Sequence, residues 1–192
     1  CTGGDRFDHD NLQNMPKSLL NCMAAPDGKM FVYKDYATLE LRMAVCYASE
    51  HVMEKLMRDG TDLHAYTASE AFNVPIDQVT EKQRTVGKVL NFQVIYGGGE
   101  KVVRSALMQW GGIIISAKEA REHIRQWFNT YPAFRSWHNI TRSKMKTHRY
   151  IDVVTALGRV IRTDYINDAF NYPIQGSSAE VTKHSLMLIK EG

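Results

Sequence analysis

The chain is poor in cysteine, in charge of one sign and in long apolar runs, and each shortage excludes something. Its three cysteines, at 1, 22 and 46, form no C-x-x-C pair. An odd, sparse set fits reduced thiols better than a disulfide framework. Lys plus Arg number 24 against 21 Asp plus Glu, a net charge of only +3. That excess permits a polyanionic partner without requiring one. No apolar run reaches membrane-spanning length and no signal peptide is legible, so no membrane partner is expected. None of the seven histidines forms H-x-x-x-H or joins a cysteine cluster, which argues against zinc. Internal repeats and low-complexity linkers are also missing. What is there is core material: 44% hydrophobic and 10% aromatic residues, with both charge signs mixed throughout. That suffices for one domain or two small lobes. The sequence starts at Cys1 and stops at Gly192 inside motif-like stretches, and both ends read as cuts through a longer protein.

Residues 1–17 are polar and glycine-rich, an extended loop closed by Pro16. Lys29–Asp35 is apolar, β-branched and aromatic after the turn former Pro26-Asp27-Gly28, and predicts a strand. Asp35 falls where that strand yields to a helix over about Thr38–Glu50. Alone, it is a turn or capping aspartate. Residues 51–83 read as mostly helical, with a break at Asn73-Val74-Pro75. Thr80 with Gln83 and Ser116 with Glu119 have capping-box spacing and open two further helices. The second carries Ala120, Ile124, Trp127, Phe128 and Tyr131 at helical spacing, which is core patterning. A helix of about 101–110 lies between them, and a basic helix follows Pro132 as far as Arg149. Such a basic run is ordinarily a solvated face and is also suited to a phosphate backbone. Tyr150–Thr155 and Arg159–Thr163, around Leu157-Gly158, predict a β-hairpin. A last helix is expected over Asp168–Lys190, interrupted near Pro173 and Gly176.

The stretch that organises these elements is 84–99. Arg84, Lys88, Phe92 and Tyr96 sit four residues apart, and Gly97-Gly98-Gly99 ends the run. A step of four overshoots a full turn by about 40°, so the side chains form a slowly winding stripe. It is basic at one end and aromatic at the other. Such a stripe suits a nucleotide, with cations for the phosphates and a ring for base and sugar. It equally suits an amphipathic helix with two solvated cations and two core aromatics. Asn171 and Gln175, one turn apart, put two amides on one helix face, as a base edge in a minor groove would need.

Six segments, in order and correctly spaced, resemble the family A DNA polymerases, the bacterial DNA polymerase I type and its phage relatives. Thr2-Gly3 with Asn11-Leu12-Gln13-Asn14-Met15-Pro16 is similar to the family's T-G-R…N-L-Q-N-I-P segment. Asp35-Tyr36-Ala37-Thr38-Leu39-Glu40-Leu41-Arg42 resembles its first palm motif. Asp62-Leu63-His64 resembles its D-[IL]-H, and Arg84-x3-Lys88-x3-Phe92-x3-Tyr96-Gly97 its fingers helix. Thr155-x2-Gly158-Arg159 and Asn171-x-Pro173-Ile174-Gln175-Gly176 match later segments.

The resemblance implies an α+β, mostly helical fold: a palm with a short antiparallel sheet and an inserted helical fingers subdomain. Residues 1–50 and 150–192 would belong to the palm and 51–149 to the fingers. It implies template-directed DNA synthesis with two Mg2+ ions, Mn2+ substituting. Asp35 and the Tyr36 carbonyl would be metal ligands. Glu40 would exclude a 2′-hydroxyl. His64, Arg84 and Lys88 would hold the triphosphate, with Lys88 protonating pyrophosphate. Phe92 would stack near sugar and base, and Tyr96 would close the pocket on the template side. Arg6, Asn11, Gln13, Arg159, Asn171 and Gln175 would contact DNA. Implied partners are primer–template DNA, deoxynucleoside triphosphates and replication accessory proteins, in a bacterial or phage-infected cytoplasm.

Four departures stand out. Arg6 follows an inserted-looking Gly4-Asp5 and stands in for the displaced arginine of the family's T-G-R. Gln93 replaces the glycine after the fingers phenylalanine, and Asn167 replaces an arginine four residues before Asn171. The third palm motif, H-D-E, which carries the family's second metal carboxylate, is absent from these residues. The chain alone is therefore expected to be an inactive fragment. A single-subunit RNA polymerase is the competing enzyme reading, opposed by Glu40. A non-catalytic nucleic-acid-binding remnant is the competing reading of another class.

Overall fold

The computed structural model describes residues 22, 24–30 and 35–191. The chain divides into two compact units, Cys1–Ala37 and Thr38–Gly192. In the first, the expected turn is present: Lys29 N–H donates to the Pro26 carbonyl at 2.9 Å, with Gly28 at φ 72°. Residues 31–34, the body of the expected strand, lie outside the described residues, as do Arg6, Asn11 and Gln13.

The second unit is mostly helical. In order it contains α1 (Leu39–Ala48), α2 (His51–Arg58), α3 (Leu63–Phe72), a 3-10 turn (Ile76–Gln78), α4 (Glu81–Ile95), α5 (Glu100–Gly111), α6 (Ala117–Thr130) and α7 (Pro132–Thr147). Strands β1 (Ile151–Val154) and β2 (Val160–Thr163) and the long α8 (Ile166–Glu191) follow. The strands pair antiparallel, Ile151 opposite Thr163 and Val154 opposite Val160, as the hairpin signal requires. Both expected capping boxes form, at Thr80/Gln83 and at Ser116/Glu119. They close the free N–H groups at the starts of α4 and α6.

The last helix differs from expectation. It begins at Ile166 and runs unbroken through Pro173 and Gly176. Proline removes one helical hydrogen bond and ordinarily breaks a helix. Here Phe170, Pro173, Ile174, Ser177 and Ser178 are all buried on one face. Packing of that face outweighs the local cost.

The core gathers Leu41, Val45 and Met53 of α1 and α2, Val86, Val89, Leu90 and Val94 of α4, and Leu107 of α5. Trp127 is ringed by Phe128, Tyr131 and Phe134 at centroid distances of 5.2 to 5.3 Å. The aromatic spacing of α6 is therefore core, as its pattern indicated. The tightest helix crossing is α3 on α4. A Cβ on Gly87 would stand 2.1 Å from the His64 carbonyl oxygen, so only glycine admits this approach. That contact fixes His64 against the face of α4.

A buried carboxylate ties α2 to α7. Glu50 is 2% exposed. One oxygen accepts from Val52 N–H at 3.0 Å and the other from Ala133 N–H at 2.8 Å. The N-termini of two helices thus share one anion, with the helix dipoles favouring its charge. Glu50→Ala is expected to cost about 1–3 kcal/mol, because two part-buried N–H groups lose their acceptor. Urea unfolding of both chains measures this.

Candidate functional site

The stripe of α4 lies along two clefts of the second unit. At its N-terminal end, Arg84 Nε donates to Asp62 Oδ2 at 2.8 Å. The same Asp62 caps α3, its Oδ1 accepting from His64 N–H at 2.9 Å and Ala65 N–H at 3.1 Å. Burial tends to raise the Asp62 carboxyl, but Arg84 and the two N–H groups outweigh it and hold it below its ordinary range. Burial pushes the His64 imidazole down to about 4; Asp62 opposes this, while Arg84 and Lys88 add to it. His64 is therefore neutral at physiological pH. His64 and Arg84 line a cleft of about 290 Å³ with Thr38, Arg42, Thr61 and Asp62.

One turn on, the Lys88 ammonium sits 5.7 Å from the Trp110 ring centroid. Phe92 lies between His64 and Trp110, with ring centroids 5.8 and 6.3 Å away. At the end of the helix the Tyr96 hydroxyl donates to Glu40 Oε2 at 2.6 Å. Burial, then the hydrogen bond and charge of Glu40, push the Tyr96 phenol upward. Tyr96 consequently remains a hydrogen-bond donor, and Glu40 is held beside it.

The second cleft, about 430 Å³, is lined by Gln93, Tyr96, Gly97–Gly99, Asn167, Asn171 and Gln175, among others. Gly97, at φ 80°, turns the chain out of α4. A Cβ there would come within 2.9 Å of the Phe170 ring, so glycine also lets α4 meet α8. Asn171 and Gln175 thus share one cleft with Tyr96. Asn171 Oδ1 is buried and has no partner among the described residues. Gln93, unexplained by sequence, has two evident roles. Its carbonyl accepts from Gly98 N–H at 2.9 Å, and the residue lines the cleft with the other amides. Two of the departures from the family pattern, Gln93 and Asn167, therefore line the same cleft.

Arg159 remains half exposed while its Nε lies 3.0 Å from Glu180 Oε1. Asp35 and Tyr36 belong to the first unit and are exposed, outside regular structure. Among the described residues no group of three or more His, Cys, Asp or Glu comes together.

Sequence reasoning missed several participants. Asp62 was legible only as part of a motif, not as the partner of Arg84. Asn91 was legible in principle, as an amide on the apolar face of α4 between Leu90 and Val94. It is fully buried, and its Oδ1 accepts from Trp127 Nε1 at 2.8 Å. Trp110 had no local signal, since its role comes from the crossing of α5 on α4.

A model of DNA polymerase family A matches residues 2–192, so the chain belongs to that family. The mostly helical fold with its two-stranded antiparallel sheet is the family's. DNA polymerase I of Aquifex aeolicus (strain VF5) is 32% identical over 187 residues, covering 97% of this chain and 33% of that protein. The DNA polymerase of Bacillus phage SP01 is 32% identical over 175 residues, 86% of this chain and 19% of the relative. Among solved structures, the POL domain of Pol1 from M. smegmatis, in complex with DNA primer-template and dNTP, is similar with a TM-score of 0.63 at 28% identity. That match covers 78% of this chain and 27% of the other. The chain spans about a third or less of the length of these relatives. No helix among the described residues is long and apolar enough to cross a membrane.

Proposed function

We propose that the chain supplies the fingers and part of the palm of a DNA-directed DNA polymerase, which adds deoxynucleoside triphosphates to a primer 3′ end. The observation that carries this reading is the continuous stripe of α4. Arg84, Lys88 and Phe92 with His64 opposite, then Tyr96 on Glu40, present cations, a ring and a fixed carboxylate in sequence. The relative solved with primer–template and dNTP supports the choice of partners. Residues 1–50 and 150–192 belong to the palm and 51–149 to the fingers.

In this reading Arg84 exchanges Asp62 for a phosphate oxygen. The existing ion pair is about two-fifths exposed on both sides and therefore weak, at most about 1 kcal/mol, so the exchange costs little. Lys88 gives a proton to departing pyrophosphate, and the Phe92 ring packs against base and sugar. Asn171 and Gln175 read the minor-groove edge, which offers acceptors at every base pair. Arg159, and Arg6, Asn11 and Gln13, hold the DNA backbone and groove. Asp35 and the Tyr36 carbonyl are the ligands this chain offers to Mg2+, with Mn2+ as substitute. When bound, such ions would supply Lewis-acid stabilisation of the charge that develops during nucleotidyl transfer.

The test is template-directed dNTP incorporation with Mg2+ by the full-length polymerase to which this chain contributes; no incorporation on any primed template would refute the reading. Glu40 gates the sugar, its carboxylate pinned by Tyr96. Glu40→Ala is expected to raise ribonucleotide use on the order of 10²-fold. Tyr96→Phe, which frees the carboxylate without deleting it, should raise it less. Unchanged sugar preference in Glu40→Ala, read by competing ribo- and deoxynucleotides, removes Glu40 as the gate.

A further inference from the structure

We propose that Asn91 is a positioning residue that locks His64 in the neutral tautomer protonated on Nε2, leaving that N–H as a donor for a phosphate oxygen. The phosphate is the triphosphate of the function proposed above; the tautomer itself does not depend on that reading.

The orientation of the Asn91 amide follows from its partners. Indole Nε1–H can only donate, so the Asn91 atom 2.8 Å from Trp127 Nε1 must be the carbonyl oxygen. Thr67 Oγ1, 3.0 Å from the same oxygen, is consistent with this. The amide nitrogen then faces the Leu63 carbonyl at 3.3 Å and His64 Nδ1 at 3.2 Å. An amide NH2 has only hydrogens to offer, so Nδ1 must present its lone pair. A neutral imidazole that accepts at Nδ1 carries its proton at Nε2. Its low pKa agrees with a ring held neutral. The charged groups around it are Asp62 on its own side, Arg84 and Lys88 on α4, and Arg42 on the rim of the same cleft. With cations already there, a neutral donor adds a hydrogen bond to an anion without adding charge repulsion. Trp127 and Thr67 thus fix Asn91, and Asn91 fixes the ring.

Asn91→Asp tests this while keeping size and an acceptor for Trp127. Its second oxygen demands a proton on His64 Nδ1, so tautomer or charge must change. Full-length polymerase containing this chain, labelled with 15N-histidine and followed by long-range 1H–15N correlation between about pH 5 and pH 8, reads this directly. Expected are a wild-type Nε2–H tautomer, neutral throughout, and an Asn91→Asp ring protonated on Nδ1 with its pKa raised to 6.5 or above. The Asn91→Asp KM for dNTP should then gain a pH dependence near neutrality that wild type lacks. Phe134→Leu loosens the same core but leaves both donors to the Asn91 carbonyl in place, and should keep the wild-type tautomer. A wild-type ring protonated on Nδ1, or Asn91→Asp with an unchanged tautomer, overturns the proposal. His64→Ala with a wild-type KM for dNTP overturns the phosphate role of the Nε2–H alone. Full-length polymerase containing this chain, with the Nε2–H signal intact but no incorporation of any nucleotide, refutes the polymerase function instead.

Discussion

Asp35→Ala in the full-length polymerase containing this chain is expected to lower primer extension by roughly 10³-fold or more, with primer–template affinity nearly unchanged. Metal-assisted transfer needs hard oxygen ligands with a formal charge, and a neutral alanine offers neither. The loss should be at least that of deleting one preorganised donor aimed at transition-state charge. Duplex affinity rests on cations meeting phosphates, not on this carboxylate. Because Asp35 is exposed, the substitution should shift stability by no more than about 0.5 kcal/mol, so loss of activity is not loss of fold. Single-turnover extension with Mg2+ and with Mn2+, beside fluorescence anisotropy on a labelled duplex, separates the two effects. Extension within tenfold of wild type would remove Asp35 from the metal site.

What the sequence revealed was local. Thr80 with Gln83 and Ser116 with Glu119 are three residues apart, and each box formed, because its partners are already within one turn. Leu157-Gly158 set the hairpin, and Gly97 the end of α4, for the same reason. Periodicity also showed which side chains share a face of α4. It could not show what faces them. Tyr96 meets Glu40 across 56 residues, Arg84 meets Asp62 across 22, and Asn91 meets Trp127 across 36. Those pairings are set by how α1, α3 and α6 pack on α4, which no local pattern encodes. Motif resemblance named Glu40, His64 and Tyr96 individually, yet said nothing of the bond between Glu40 and Tyr96 or of the amide behind His64.

The misreading of α8 has the same origin. Local propensity at Pro173 and Gly176 argues for a break, and long-range burial of Phe170, Pro173 and Ile174 decides against it. Continuity matters to the site, because it keeps Asn171 and Gln175 one turn apart on a single rigid face. Gln93 then becomes intelligible only in three dimensions: it stands across the cleft from that face, beside Tyr96.

Lys88→Ala is expected to reduce the incorporation rate by roughly 10²–10⁴-fold, the usual range for a lost proton donor, with a much smaller effect on duplex binding. Lys88 differs from its neighbour on the stripe. Arg84 is held by Asp62, whereas Lys88 is exposed, paired with no carboxylate among the described residues, and rests near the Trp110 ring. An exposed ammonium on a flexible stem can follow a leaving group; a forked guanidinium held in an ion pair is better suited to orienting a bound phosphate. Lys88→Arg separates charge from proton transfer, since guanidinium stays protonated and cannot act as an acid. It should preserve most of the dNTP affinity and still lose most of the rate in single-turnover incorporation. Lys88→Arg at wild-type rate would reduce Lys88 to an electrostatic clamp. Trp110→Ala adds a finer measure: losing the ring should cost about 0.5–1 kcal/mol of the ammonium's placement, a few-fold in rate. That small effect, beside the large one at Lys88, is what a positioned but mobile acid requires, since a tightly held one could not follow the proton's acceptor as the bond breaks.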